Sequence, residues 1–291
     1  MASLTSSFRH IAIIGTGLIG GSWGLALKRR GFTGRITGCD RPEVLARACE
    51  LGAIDEGEED MAEAVRTADL VLVATPVGAA LKLLLQLKLS VAAKALVTDT
   101  GSTKRAILKR AGEVFDQNPL FLGGHPLAGK EQSEIENANA SLFEGAGYVL
   151  TLSSPKHEKD ERVRSFAALI EGVGARVLVS DAETHDRALA HLSHLPQLLS
   201  TGLASVIEEE DSRNPMPLEF AASGFRDMTR LAESSEAVWR DVWVTNADNV
   251  GSALDALIRK LQGMKAHLDD GNLRREFEQA LQLRERCRRL R

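Results

Sequence analysis

Three segments carry side chains whose types suit proton transfer or anion binding. In "GGHPLAGKE", His125 lies between a glycine pair and a proline, directly after an apolar run. An imidazole with an ordinary pKa of about 6.5 is mostly neutral at neutral pH and can take a proton from a substrate hydroxyl. The competing reading is a side chain that only holds a turn together. In "VTDTGSTKRAI", Ser102 stands where a strand stops, as a helix N-cap, a polar group in a crevice, or both. In "FAASGFRDMTRLAESSEAVWRDVW", Arg226, Asp227 and Arg230 surround a glycine-containing bend close to Trp239 and Trp243. Two guanidiniums, a carboxylate and two indoles around one bend suit an anion site.

These groups need a rigid frame, and the start of the chain supplies its pattern. The run "HIAIIGTGLIGGSWGLALKRRG" reads as a strand, the turn Gly15-Thr16-Gly17-Leu18-Ile19-Gly20, and then a helix. Gly15 allows the tight turn, Gly17 lets a pyrophosphate approach the backbone, and Gly20 lets helix and strand pack closely. The helix start at Leu18 and Ile19 faces the phosphates. A second strand, "RITGCD", ends in Asp40, whose carboxylate can accept from ribose hydroxyls and repels a 2′-phosphate. Arg41 is the opposing element, since a guanidinium there can pair with that phosphate. The balance favours NAD over NADP. Thr75 and Pro76 in "VLVATPV" end a further strand beside the same crevice, or simply form its closing turn.

The surrounding texture divides the 291 residues in two. Up to Ser180, apolar runs alternate with helical stretches: "HIAIIG", "RITGCD", "DLVLVAT", "ALVTDT", "FLGGH", "GYVLTL" and "ARVLVS". That rhythm predicts a mostly parallel sheet covered by helices, an α/β Rossmann-type domain over residues 1–180. From residue 181 to 291 long 3.6-residue periodicity predicts an all-helical domain. Its apolar positions Leu189, Leu192, Leu199 and Leu203 exceed what one small domain covers, which predicts a homodimer.

A net charge of −4 argues against nucleic acid or an anionic membrane as partner. No apolar run predicts a signal peptide or a membrane span, which predicts a cytoplasmic protein. Three scattered cysteines without a CxxC indicate neither a disulfide framework nor a metal site. His185 and Asp186 read as capping and charging the first turn of a long helix, His191 as partly exposed, and Pro196 as a kink that turns His194 towards the crevice.

Taken together, "GTGLIGGS", "DTGSTK", "GGHPLAGKE", "SLFEGAGYVLT", "DAETHDRALAHLSHLP" and "GFRDMTRLAESSEAVWRDVW" resemble the prephenate/arogenate dehydrogenase family of tyrosine biosynthesis. They cover nearly the whole chain in the family's order. The resemblance implies a Rossmann domain with a helical dimerisation domain, NAD as cofactor, and oxidative decarboxylation of a small cyclohexadiene, prephenate or arogenate. It assigns His125 as catalytic base with Ser102 as its polar partner, Arg230 as the substrate carboxylate anchor, and His194 in the same pocket. Glu131 and Asp227 match positions tied to gating or supporting polar contacts. Where the family often reads "SHLPH", this chain has Gln197, and a neutral amide there leans towards prephenate over the ammonium-bearing arogenate. The chain's extent leaves no room for a C-terminal regulatory domain or a fused mutase, so feedback by tyrosine would act at the active site.

Two other readings compete. Dehydrogenases of small β-hydroxy acids share this architecture but would use a lysine on an interdomain helix. A non-enzymatic NAD-sensing module would not need Ser102, His125 and Arg230 together.

Overall fold

The computed structural model of the chain describes residues 7–115, 118–130, 132–152 and 155–289. Eight strands form one sheet: β1 (His10–Ile14), β2 (Arg35–Cys39), β3 (Glu56–Gly57), β4 (Leu70–Val73), β5 (Leu96–Asp99), β6 (Leu120–Pro126), β7 (Gly147–Thr151) and β8 (Arg176–Ser180). Their order is β3-β2-β1-β4-β5-β6-β7-β8. All neighbours run parallel except β6 and β7, which are antiparallel and set His125 opposite Val149. The seven strands read from the sequence are all present; β3, at two residues, is too short to show a pattern.

Helices α1 (Leu18–Arg29), α2 (Pro42–Glu50), α3 (Met61–Val65), α4 (Val77–Ser90), α5 (Arg105–Val114) and α6 (Glu161–Gly172) cover the sheet. Side chains alternate faces along a strand, and β1 shows the result. Ile11 and Ile13 enter one core with Trp23, Leu27 and Phe166, whereas Ala12 and Ile14 enter the other with Val71, Val73 and Leu84. A strand buried on both faces reads as a continuous apolar run.

From Ala182 the chain is helical: α7 (Ala182–Leu189), a π-turn (Ala190–His194), α8 (Leu195–Arg213), α9 (Ser223–Thr229), α10 (Glu236–Thr245), α11 (Ala247–Lys265) and α12 (Arg274–Arg289). The predicted distortion at Pro196 takes the form of that π-turn, immediately ahead of the proline in the first turn of α8. Proline lacks the N–H that would continue the α ladder, and an extra residue in the preceding turn absorbs the mismatch. Large apolar side chains stay exposed here, among them Leu192 (76%), Phe220 (79%), Val244 (75%) and Phe277 (69%). No helix among the described residues is long and apolar enough to cross a membrane.

Candidate active site

The strand order reverses between β1 and β4, and open parallel sheets bind ligands at such a reversal, beyond the carboxyl ends of the strands. The glycine turn sits there. Gly15 has φ +90°, and a Cβ on it would come within 2.8 Å of the Ala74 carbonyl oxygen. A Cβ on Gly20 would overlap the Gly15 carbonyl, so helix and turn can approach only through glycine. The first amide of α1, Leu18 N–H, donates to the Ser133 carbonyl at 2.8 Å. That oxygen stands in for the anionic oxygen a helix N-terminus receives, so the turn fits a pyrophosphate.

At the end of β2, Asp40 accepts from the Thr16 amide at 2.8 Å and from its own neighbour, the Arg41 amide, at 2.8 Å. The Arg41 guanidinium turns outward and pairs with Glu43 at 3.2 Å. Burial pushes the Cys39 thiol up to about 11, with the nearby Asp40, Glu58 and Asp60 carboxylates adding to the rise. Pro76 caps the start of α4, and the buried Thr75 hydroxyl has no partner among the described residues.

The end of β5 is tied to His125 by a buried staple. Asp99 accepts from the amides of Gly101 (2.8 Å) and Gly124 (3.1 Å). The fully buried Lys104 ammonium pairs with Asp99 and donates to the Gly124 carbonyl at 2.7 Å. Burial pulls this ammonium down from the ordinary lysine value against the raising pull of Asp99. Ser102 lies half-buried inside the stapled loop. It is not a helix cap: α5 starts only at Arg105, and Lys104 occupies the cap position.

His125 is 8% exposed and lies within the strand rather than at a free turn. Its Nδ1 is 2.8 Å from His185 Nε2, and His185 Nδ1 is 2.7 Å from Asp186 Oδ1. Asp186 also accepts from the backbone amides of Lys104 (2.7 Å) and Arg105 (3.0 Å). Burial opposes its charge, but the hydrogen bonds from His185, Arg105 and Lys104 outweigh it and hold Asp186 below the ordinary carboxylate value. Burial, the His185 ring, the Lys104 ammonium and the His194 ring together hold His125 well below 6.5. His125 is therefore a neutral imidazole at neutral pH. The capping reading of His185 and Asp186 is corrected here: both are buried, and Asp181 performs the cap by accepting from the Thr184 amide.

His194, also buried, ends the π-turn. Asn246 Oδ1 accepts from Arg105 and Asn249, so its amide nitrogen faces the Asp186 carbonyl (2.8 Å) and His194 Nδ1 (3.3 Å). His194 Nδ1 is then the acceptor, and Nε2 carries a proton with no partner among the described residues. Burial draws His194 down to about 4 despite Asp186. Its ring stands edge-on to Trp239 and Trp243, themselves stacked at 5.1 Å. The two indoles thus serve His194 rather than the arginine bend, because one helical turn on α10 aims both towards the π-turn.

The arginine bend is open. Arg226, Asp227 and Arg230 are all exposed, and Arg226 donates to the Ala221 carbonyl. Helix α9, which carries Arg226 and Asp227, buries no residue. The turn bearing Arg230 is fixed to α8, where Gln197 Nε2 donates to the Leu231 carbonyl (2.9 Å) and Ser200 Oγ accepts from the Ala232 amide (3.0 Å). Gln197 Oε1 is buried and unpartnered among the described residues. His191, expected to be partly exposed, is exposed. Glu131 lies outside the described residues.

A doubly wound sheet with a glycine turn at its reversal, facing a buried neutral histidine, defines a dinucleotide-dependent oxidoreductase. Family models agree: that described as prephenate dehydrogenase, nucleotide-binding domain, matches residues 23–179, and that described as prephenate dehydrogenase, dimerization domain, matches residues 181–283. The chain is 35% identical over 281 residues to prephenate dehydrogenase of Bacillus subtilis, covering 94% of this chain and 75% of the relative. It is 33% identical over 285 residues to cyclohexadienyl dehydrogenase of Zymomonas mobilis, covering 95% of each. Prephenate dehydrogenase of Aquifex aeolicus, solved with hydroxyphenyl propionate and NAD+, superposes with a TM-score of 0.87 at 28% identity, over 98% of this chain and 99% of that one. The chain belongs to the prephenate dehydrogenase family.

Proposed function

We propose that this chain converts prephenate to 4-hydroxyphenylpyruvate with NAD, with His125 as the proton acceptor. The observation that carries the reading is the buried, neutral His125, held by hydrogen bonds at the edge of a dinucleotide crevice. Bound NAD supplies the hydride acceptor. As hydride leaves the carbinol carbon, His125 takes the hydroxyl proton and relieves the charge growing on that carbon. The ring carboxylate departs as carbon dioxide, its bonding pair aromatises the ring, and the proton returns to the phenolic oxygen. Ser102 shares the hydroxyl from the stapled loop, while Arg230 and the His194 Nε2–H receive the substrate's carboxylate end, with Asp227 and Glu131 as supporting polar groups. Asp40 and its acidic surroundings favour NAD over NADP. Rising absorbance of NADH on mixing protein, NAD and prephenate tests the reading, and no signal with prephenate or arogenate would sink it.

Arogenate is the second substrate reading, favoured by one observation. Gln197 spends its donor on Leu231, so the group left over is an acceptor, suited to an ammonium rather than a ketone. The ratio of kcat/KM for the two substrates decides between them.

A homodimer built through the helical domain, in the cytoplasm, fits the exposed Leu192, Phe220, Val244 and Phe277 and the match to a dimerization-domain family. Light scattering at micromolar concentration should give twice the chain mass; a monomer mass overturns this.

A further inference from the structure

We propose that His185 and Asp186 are positioning residues that fix the tautomer of His125, leaving its Nε2 as the proton-accepting atom. The inference rests on the reading of His125 as the base and adds the device that makes it one.

The direction of each hydrogen bond follows from the far end of the chain. Asp186 is 0% exposed, and both its oxygens already receive backbone N–H groups, from Lys104 and Arg105. It is an ionised acceptor and cannot donate. His185 Nδ1, 2.7 Å from Asp186 Oδ1, must therefore carry a hydrogen. A neutral imidazole has one N–H, so His185 Nε2 is a bare lone pair. His125 Nδ1, 2.8 Å away, must then donate to it, which leaves His125 Nε2 as the bare lone pair. With both rings neutral, the other tautomer of His125 puts two lone pairs face to face in a buried space, at the cost of an unmade hydrogen bond. An isolated imidazole can hold its proton on either nitrogen; beside a neutral His185 ring, this one holds it on Nδ1.

The same chain serves the charged form. Once His125 Nε2 has taken a proton, the imidazolium keeps its Nδ1–H bond to His185, and the positive charge faces the Asp186 carboxylate through one ring. The charge is stabilised without Asp186 itself contacting substrate, and the proton stays on the atom from which it must return.

Asp186 also anchors the loop of Lys104 and Arg105, so position 185 offers the cleaner test. In His185→Gln, the amide oxygen can accept from His125 Nδ1–H while the amide nitrogen donates to Asp186, preserving both bond directions. In His185→Leu neither bond can form. Nitrogen NMR of histidine-labelled protein without ligands, assigned with His125→Asn, reads the His125 tautomer directly. The expected result is a protonated Nδ1 in the unmodified protein and in His185→Gln, and a mixed or Nε2-protonated ring in His185→Leu. Turnover should follow: His185→Gln within about tenfold in kcat, His185→Leu down by about 10²-fold or more, both with KM nearly unchanged. Protonation at Nε2 in the unmodified protein, or equal kcat in the two variants, overturns the proposal. Full turnover in His125→Asn would instead overturn the base assignment, while leaving the tautomer measurement to stand. Should His185→Leu fail to fold, the unmodified protein and His185→Gln still decide the tautomer.

Discussion

The shell around His125 and the bend carrying Arg230 are built in opposite ways. Around His125, the groups Asp99, Lys104, His185, Asp186 and Asn246 are all buried, and each is matched to a partner from another segment. At the bend, Arg226, Asp227 and Arg230 are exposed, and the turn is tied to α8 by the side chains of Gln197 and Ser200, which bond its backbone. The difference separates two tasks. Proton transfer depends on atoms held in one geometry and one protonation state, so its apparatus is finished within the chain. Capture of an anion can use a guanidinium on an exposed turn, where ligand reaches it from solvent.

That contrast predicts different kinetic signatures, beginning with the largest. His125→Asn should lower kcat by roughly 10²–10⁴ with little change in KM, because the lost interaction strengthens only as hydride leaves. In the unmodified enzyme kcat should decline on acidification only well below pH 6.5, where His125 gains a proton, and this limb should vanish in the variant. Near-normal turnover would erase the distinction between the two regions. Arg230→Ala should show the converse: KM raised by tens- to a thousandfold, corresponding to about 2–5 kcal/mol for a lost charge-assisted contact, with kcat within a few-fold. A kcat loss as deep as that of His125→Asn would mean the bend acts in the transition state.

Two smaller effects sharpen the picture. Asp40→Ser should narrow the preference for NAD over NADP by roughly tenfold or more, since it removes the carboxylate that repels a 2′-phosphate. Equal use of both cofactors before mutation would assign the choice to Arg41 despite its pairing with Glu43. His194 falls from 6.5 to about 4 on folding, so between those values the unfolded chain binds the extra proton and stability drops as pH drops. The melting temperature should therefore decrease from pH 6.5 towards 4, and His194→Gln should flatten the decline by roughly 5 °C. An unchanged slope would show that His194 is not held neutral by burial.

Much of this is legible in the sequence. The glycine turn, the seven longer strands and the change to helical periodicity are local patterns, and local patterns survive into the fold. His125 was visible because its flanking glycines and proline isolate it between apolar runs. What could not be read were pairings across distance. His185 lies sixty positions from His125, and its immediate neighbours satisfy a capping explanation that Asp181 fulfils instead. Lys104 follows a serine and a threonine that look like a helix start, yet its burial depends on Asp99 and Gly124, which only the sheet brings near. The tryptophans of α10 sit next to the arginines in sequence and next to His194 in space.

The π-turn at Ala190–His194 imposes a restriction of another kind, on length rather than on composition. It begins after His185–Asp186 and ends at His194, ahead of Gln197, so it sets the rotational phase between the pair bonded to His125 through His185 and the His194–Gln197 pair. An α-helix advances about 100° per residue, so gaining or losing a single residue in this stretch would swing one pair out of register with the other. His191 is exposed, so its presence matters more than its identity: deleting it would shift His185 and Asp186 by one residue, about 100°, against His194 and Gln197. Along this segment the chain acts as a ruler, tolerant of spelling and intolerant of insertion or deletion.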